Sequence, residues 1–90
     1  MFMELLAENG NDPTVGFRTV INVSAIRDMS FTTEPETGTS RVHINWIDGK
    51  GGIFLLCKFN EDGKVTERVS EAEFIKLFLA LTRTPDTPRG

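Results

Sequence analysis

Two predicted β-strands and the glycine turn between them occupy residues 41–59, which read RVHINWIDGKGGIFLLCKF. In the first strand, residues 41–47, apolar and polar side chains alternate, which is typical of a strand with one buried and one solvated face. The second strand, residues 53–59, is apolar on both faces except at Lys58, so we expect it in the middle of a sheet. The glycines of residues 48–52 suit a tight turn, and the two strands are therefore predicted to form an antiparallel hairpin.

Further strands are predicted on both sides of this hairpin. Beyond a turn at residues 60–63, the alternating residues 64–69 extend the hairpin into a meander. Before it, residues 17–23 alternate and are rich in β-branched side chains, and residues 26–33 suit another strand, although their first residues could form a helical turn. Residues 2–8 could form a helix or a strand, and we favour a strand because it would help to cover a sheet edge.

A single helix is predicted near the C-terminal end of the chain. Ser70 and Glu73 have the spacing of a capping box, and the apolar run 74–81 follows them. Pro85 ends this helix because proline lacks the backbone donor that a helix interior needs. The pattern therefore predicts one C-terminal amphipathic α-helix packed on the sheet.

The chain has 90 residues, which is enough for one domain. We predict the fold class α+β, an antiparallel β-meander of four to five strands with one helix packed on it. Residues 1–83 form the globular domain, and residues 84–90 form a disordered C-terminal tail interrupted by proline. A domain of this size buries a modest core, so association with another molecule would help to stabilise it.

Composition and charge argue against several classes of protein. The chain has 10 basic and 13 acidic residues and a net charge of -3, which disfavours a basic surface for duplex DNA. The sequence contains no apolar run long enough to cross a membrane, and the N-terminus lacks the cationic start of a secretory signal. We therefore expect a cytoplasmic protein, of a size and acidity typical of short accessory proteins of bacteria or phages.

The residues that usually carry catalysis or metal binding are few. His43 is the one histidine and Cys57 the one cysteine, so the chain fits no structural zinc site and no internal disulfide. His43 is expected on the solvated face of its strand, whereas Cys57 shares a face with apolar residues. We therefore predict a non-enzymatic protein without a cofactor or a metal.

The predicted helix has more apolar surface than one contact with a sheet requires. Its large apolar side chains span roughly 200° of the circumference, whereas the apolar stripe of a surface helix is about 100° wide. Four of them suffice for the side toward the sheet: Phe74, Leu77, Phe78 and Leu81. Ile75 and Leu79 point elsewhere, either under one of the loops 9–16 and 33–40 or against another molecule.

The strand at residues 53–59 also has a second apolar face, which one short helix would not cover. Phe54 and Leu56 lie on that face. The leading hypothesis is a small acidic protein-interaction module that self-associates, or that acts as an adaptor or inhibitor of a larger protein. Its expected contact residues are Ile75 and Leu79 on the helix, with Phe54 and Leu56 on the sheet.

The alternative is a single-stranded nucleic-acid-binding or regulatory β-sheet protein. Such proteins stack bases on aromatic side chains with basic neighbours. Phe54 and Lys58 share a strand face, and Arg41 and Arg27 could flank them. The scattered basic residues and the negative net charge disfavour nucleic acid, so the expected partner is a protein or a second copy, with no membrane contact.

Overall fold

The structure is a computed structural model that describes residues 1–12 and 14–82, and it confirms the α+β class. The strands within these residues are β1 (Phe2–Ala7), β2 (Phe17–Asn22), β3 (Ile26–Thr33), β4 (Ser40–Trp46), β5 (Gly51–Leu55), β6 (Cys57–Phe59) and β7 (Val65–Arg68). A 3₁₀ helix covers Val23–Ala25, and one α-helix, α1, covers Glu71–Thr82. The favoured strand at the N-terminus is thus confirmed.

Five strands form one antiparallel sheet in the order β2-β1-β5-β4-β3, and β6 pairs with β7 in a second sheet of two strands. The predicted meander is right for the consecutive strands β3, β4 and β5 but wrong beyond them, because β1 lies between β2 and β5. The strand predicted over residues 53–59 breaks at Leu56. The Leu56 N–H donates to the Ser40 carbonyl over 2.9 Å, and the Leu56 carbonyl accepts from the Val69 N–H over 3.1 Å. The chain leaves the sheet at this point, so β6 and β7 form a separate hairpin.

The five-stranded sheet coils strongly, as its connections require. β2 and β3 are opposite edges, and the antiparallel order makes them run in the same direction. In a flat sheet these edges would lie roughly 19 Å apart, with the end of β2 and the start of β3 at opposite ends. The connection through Val23–Ala25 is short, and it spans at most about 14 Å between the two strands. The two edges must therefore curl toward each other.

The concave side of the coiled sheet holds the core. Its buried residues are Leu5, Ile21, Val42, Ile44, Phe54, Leu56, Val69 and Phe74. Because the curved sheet encloses most of the core, the described residues of α1 contribute one buried side chain to it, Phe74. The Phe74 ring meets Phe31 edge-on with centroids 5.9 Å apart and stacks on Phe78 at 6.2 Å. The helix thus packs on the sheet as predicted, but through a small contact.

Two glycines allow the β6–β7 hairpin to cover part of the convex side of the sheet. The Gly16 N–H donates to the Gly63 carbonyl over 2.8 Å, and a Cβ on Gly63 would lie 2.5 Å from the Gly16 carbonyl oxygen. Gly63 also has a φ of 78°, in the left-handed region that favours glycine. Next to this contact, Leu6 and Leu55 are buried on the convex side. Residues 14–16 of the loop 9–16 therefore cover residues of the sheet rather than residues of α1.

The helix begins where the sequence predicts. The Ser70 hydroxyl accepts from the Glu73 N–H over 3.1 Å, and the Ser70 carbonyl accepts from the Phe74 N–H over 2.9 Å. Ser70 is thus the N-cap, as expected from its side-chain oxygen. The predicted helix end at Pro85 and the predicted disordered tail over 84–90 lie outside the described residues.

Candidate functional site

Three large aliphatic side chains of α1 are exposed to solvent. Ile75 and Leu79 are each 39% exposed, and Leu77 is 54% exposed. The exposure of Ile75 and Leu79 agrees with the prediction that they point away from the sheet. Leu77, assigned to the side toward the sheet, does border a groove there with Leu5 and Phe74. It nevertheless stays exposed, because the curved sheet encloses its own core and α1 touches that core mainly through Phe74 and Phe78.

The exposed side chains of α1 include a line with the spacing of a helix-pairing seam. Four exposed residues follow one another at intervals of three, four and three positions: Ala72, Ile75, Leu79 and Thr82. This is the heptad spacing by which one helix packs along another. The Thr82 hydroxyl donates to the Phe78 carbonyl over 3.0 Å, so its polar group is satisfied within the helix. We call these four residues the outer seam.

Two charged residues border the outer seam. At 100° per residue, Glu71 lies on one side of it and Lys76 on the other. Glu71 is half-buried and accepts a hydrogen bond from the Thr33 hydroxyl, whereas Lys76 is exposed. In a pair of helices these are the flanking positions that determine which orientation is favoured.

The expectation that Phe54 and Leu56 form part of an exposed face is wrong. Phe54 is 7% exposed and Leu56 is 3% exposed, and both belong to the core cluster. The physical reason is the coiling of the sheet, which brings the two edges over the concave side. The apolar side chain that β5 does leave exposed is Ile53, on the convex side.

Arg41 lies on the convex side, away from Phe54, in a cluster with two carboxylates. It binds Glu8 over 3.0 Å and Glu34 over 2.8 Å. The hydrogen bonds that Arg41 donates to Glu8 and Glu34 raise the pKa of Arg41, and the bonds to Glu8 lower the pKa of that carboxyl group. The charge of Arg41 is therefore neutralised within the chain rather than available to a phosphate.

The other residues of the nucleic-acid alternative are likewise separate. The Lys58 Nζ lies 3.7 Å from Glu67, and the Arg27 Nε lies 3.1 Å from Asp28. Phe54, the expected stacking platform, is in the core. The structure does not bring these groups onto one surface. The break at Leu56 takes Lys58 out of the strand that holds Phe54, and Arg41 points to the opposite face of the sheet from Phe54.

His43 and Cys57 lie in different surroundings. The His43 Nε2 is 3.4 Å from the Thr32 hydroxyl on the convex side of the sheet. Cys57 is half-buried, and this burial raises the pKa of its thiol. Across residues 1–12 and 14–82, no group of three or more histidine, cysteine or acidic side chains could hold a metal ion. In the same part of the chain, no helix has the length and hydrophobicity to cross a membrane.

Several other exposed apolar side chains were not expected from the sequence. Phe17 and Val20 lie on the edge strand β2, Phe2 lies at the start of β1, and Ile47 follows β4. Alternation in β2 assigns Phe17 to the buried face, but its place at the start of an edge strand leaves it uncovered. The signal that could have identified these residues is a position at a strand end or, for Val20, on an edge strand, where a sheet gives little cover.

Comparison of the chain with protein-family models, with curated proteins and with solved structures finds no match.

Proposed function

We propose that this protein is a non-enzymatic interaction module whose partner is a second copy of the chain. The two copies join through the outer seam of α1. The observation that carries this proposal is the exposure of all four seam residues at heptad spacing, with Ile75 and Leu79 each 39% exposed. Burial of such aliphatic side chains is favourable by about 25 cal/mol per Å² of apolar surface removed from water.

The seam has the spacing that packs against another helix, and we propose that this helix belongs to a second copy. The described residues contain one α-helix, so none of their other elements can supply the matching seam. A second copy supplies an identical seam, and a two-fold arrangement places the same surface against itself. Self-association therefore requires no feature beyond those already present on α1.

Charge favours a parallel orientation of the two helices. In a parallel pair, Glu71 of each copy faces Lys76 of the other copy, because these positions flank the seam five residues apart. In an antiparallel pair, residues at the same flanking position face each other, so Lys76 meets a second Lys76. Opposite charges across the seam support the parallel arrangement, and like charges oppose the antiparallel one.

The contact is small, so we propose a reversible dimer. Four seam positions bury much less than the roughly 800 Å² per partner of a standard stable interface. The association free energy is accordingly expected between about −4 and −8 kcal/mol, which corresponds to a dissociation constant between about 1 mM and 1 µM. A dimer with this affinity dissociates when the protein is diluted below the dissociation constant.

Sedimentation equilibrium tests this proposal, over a concentration range from about 10 µM to about 1 mM that matches the expected affinity. The wild type is expected to approach twice the monomer mass as its concentration rises. The double variant Ile75→Glu/Leu79→Glu is expected to stay monomeric, because two charges would be buried in the seam. Leu77→Glu is the control: it adds one glutamate to the same helix outside the seam, and it should dimerise like the wild type. The single variant Leu79→Glu adds the same single charge within the seam and is expected to weaken the dimer.

Two results would contradict the proposal. One is a wild type that remains monomeric at the highest concentration, which would leave a foreign protein as the candidate partner. The other is a dimer that persists in Ile75→Glu/Leu79→Glu while the circular dichroism spectrum shows an intact fold, since the copies would then join through another surface.

A further inference from the structure

A cleft of about 390 Å³ opens between the β6–β7 hairpin and the turn that joins β3 to β4. Its apolar walls come from Leu55, Leu56 and Val65, and the hydroxyl side chains of Thr37 and Thr39 lie on its other side. This volume is at the small end of the range of about 300–1,000 Å³ that is usual for sites of small organic ligands. The cleft is separate from the outer seam, so it concerns a function beyond self-association.

Arg68 is the charged residue of this cleft, and it differs from the other arginines that the structure describes. Three of them, Arg18, Arg27 and Arg41, bind carboxylates at 2.7–3.1 Å. Arg68 takes part in no ion pair within residues 1–12 and 14–82. Its Nη1 instead donates to the Thr37 carbonyl, which holds the guanidinium at the cleft. A guanidinium has five N–H donors, so donors remain for an anion.

Among the described residues, no acidic side chain lines the cleft to compete for Arg68. Glu34 of the β3–β4 connection contacts the lining, because its carboxylate accepts from the Thr37 hydroxyl over 3.4 Å. Glu34 is bound to Arg41 over 2.8 Å, so its charge is already compensated. The cleft thus combines one available cation with an apolar interior.

From this combination we infer that the cleft binds a small organic carboxylate. The carboxylate lies on the Arg68 guanidinium, and the apolar body of the ligand lies against Leu55, Leu56 and Val65. Arginine suits this ligand class because its planar fork matches the two oxygens of a carboxylate. The apolar walls favour an acid with a hydrocarbon body over inorganic phosphate or a fully polar acid.

Two-dimensional ¹⁵N–¹H NMR titration tests the inference with sodium benzoate and sodium hexanoate as probes. Benzamide and hexanamide are the matched neutral compounds, which keep the shape and remove the charge. At least one acid is expected to shift the amide signals of residues 37–39, 55–57 and 65–68 saturably. The corresponding amide should bind at least tenfold more weakly, because it lacks the charge that pairs with Arg68.

The variant Arg68→Gln is expected to weaken binding of the acid at least tenfold. Arg27→Gln is its matched control, since Arg27 is an exposed arginine outside the cleft, and this variant should bind as the wild type does.

The inference is overturned if neither acid shifts these signals at about 20 mM, which is well above the dissociation constant of a modest ligand. It is also overturned if acid and amide bind equally, or if a folded Arg68→Gln binds the acid like the wild type. The comparison of acid with amide uses the wild type alone, so it decides the question even if Arg68→Gln does not fold.

Discussion

At the scale of single residues, the contact between Gly16 and Gly63 depends on the absence of two side chains. A Cβ on Gly63 would lie 2.5 Å from the Gly16 carbonyl oxygen, closer than van der Waals contact allows. Gly49 offers a matched comparison, because its φ of 89° is also in the left-handed region but a Cβ there would meet nothing within 4 Å. Alanine variants at the two positions therefore separate the free-energy cost of the backbone conformation from that of the steric clash.

We predict that Gly63→Ala lowers the free energy of unfolding more than Gly49→Ala does. The backbone strain alone costs about 1–3 kcal/mol and is common to both variants. Gly63→Ala must in addition separate the β6–β7 hairpin from the loop at Gly16 and uncover Leu6. Urea denaturation of the two variants measures the difference, and equal losses of stability would show that this contact is unimportant.

The thiol of Cys57 makes stability depend on pH in the alkaline range. Burial raises its pKa in the folded chain, so the folded state keeps the proton at a pH where the unfolded state has lost it. Stability is therefore expected to fall as pH rises above the ordinary cysteine pKa of about 8.5. The free energy of unfolding of the wild type should decrease more between about pH 8 and about pH 10 than that of Cys57→Ala. Lysines titrate in both proteins, so parallel curves would mean that the thiol is not desolvated.

Phe54 and Leu56 show what residue patterns could not predict. Their apolar character predicted a strand with two apolar faces, and Phe54 does lie in a strand, β5. Whether such a face is covered depends on the curvature of the sheet, which brings residues far apart in sequence over it. Alternation within one strand carries no information about that curvature, so the sequence reasoning assigned both residues to an open surface.

At the scale of elements, α1 has two sides with different roles. Phe74 joins it to the core, whereas the outer seam is exposed. We predict that Phe74→Ala destabilises the isolated chain by about 3–5 kcal/mol, because it removes a large buried side chain and leaves a cavity. Leu79→Ala should cost less than about 1 kcal/mol, because the side chain is exposed in the isolated chain.

Thermal unfolding at low concentration, where the chain is monomeric, measures both variants. A similar loss of stability in Phe74→Ala and Leu79→Ala would mean that Leu79 is buried within one molecule. The reason to propose a partner would then be removed. A small loss for Phe74→Ala would mean that α1 is not attached to the core through this ring.

The elements differ in how well local sequence specifies them. The start of α1 follows from Ser70 and the residues of the next turn, because an N-cap acts locally. The strands around the turn at residues 48–52 follow from alternation and glycine. The position of β1 beside β5 does not follow from local sequence, because it depends on the pairing of Leu6 with Leu55, which are far apart in the chain. The break at Leu56 depends in the same way on bonds to Ser40 and Val69.

At the scale of the whole molecule, the coiled sheet explains both the core and the exposed helix. A sheet whose edges are joined by a short connection encloses its own apolar face, so α1 has little to cover. The outer seam of α1 therefore faces solvent. The excess apolar surface of the helix was thus predictable from its composition, whereas the closed concave face of the sheet required the order of its strands.

Intermolecular nuclear Overhauser effects in a mixed sample of ¹³C-labelled and unlabelled chains show whether a second copy covers the outer seam. The measurement detects contacts between copies and reports which residues make them. We predict methyl contacts from Ile75 to Ile75 and from Leu79 to Leu79 of the other copy, as a parallel pair requires. Intermolecular contacts confined to another surface, such as the edge of β2, or none at a concentration near 1 mM, the weakest affinity expected, would contradict the claim that a second copy covers the outer seam.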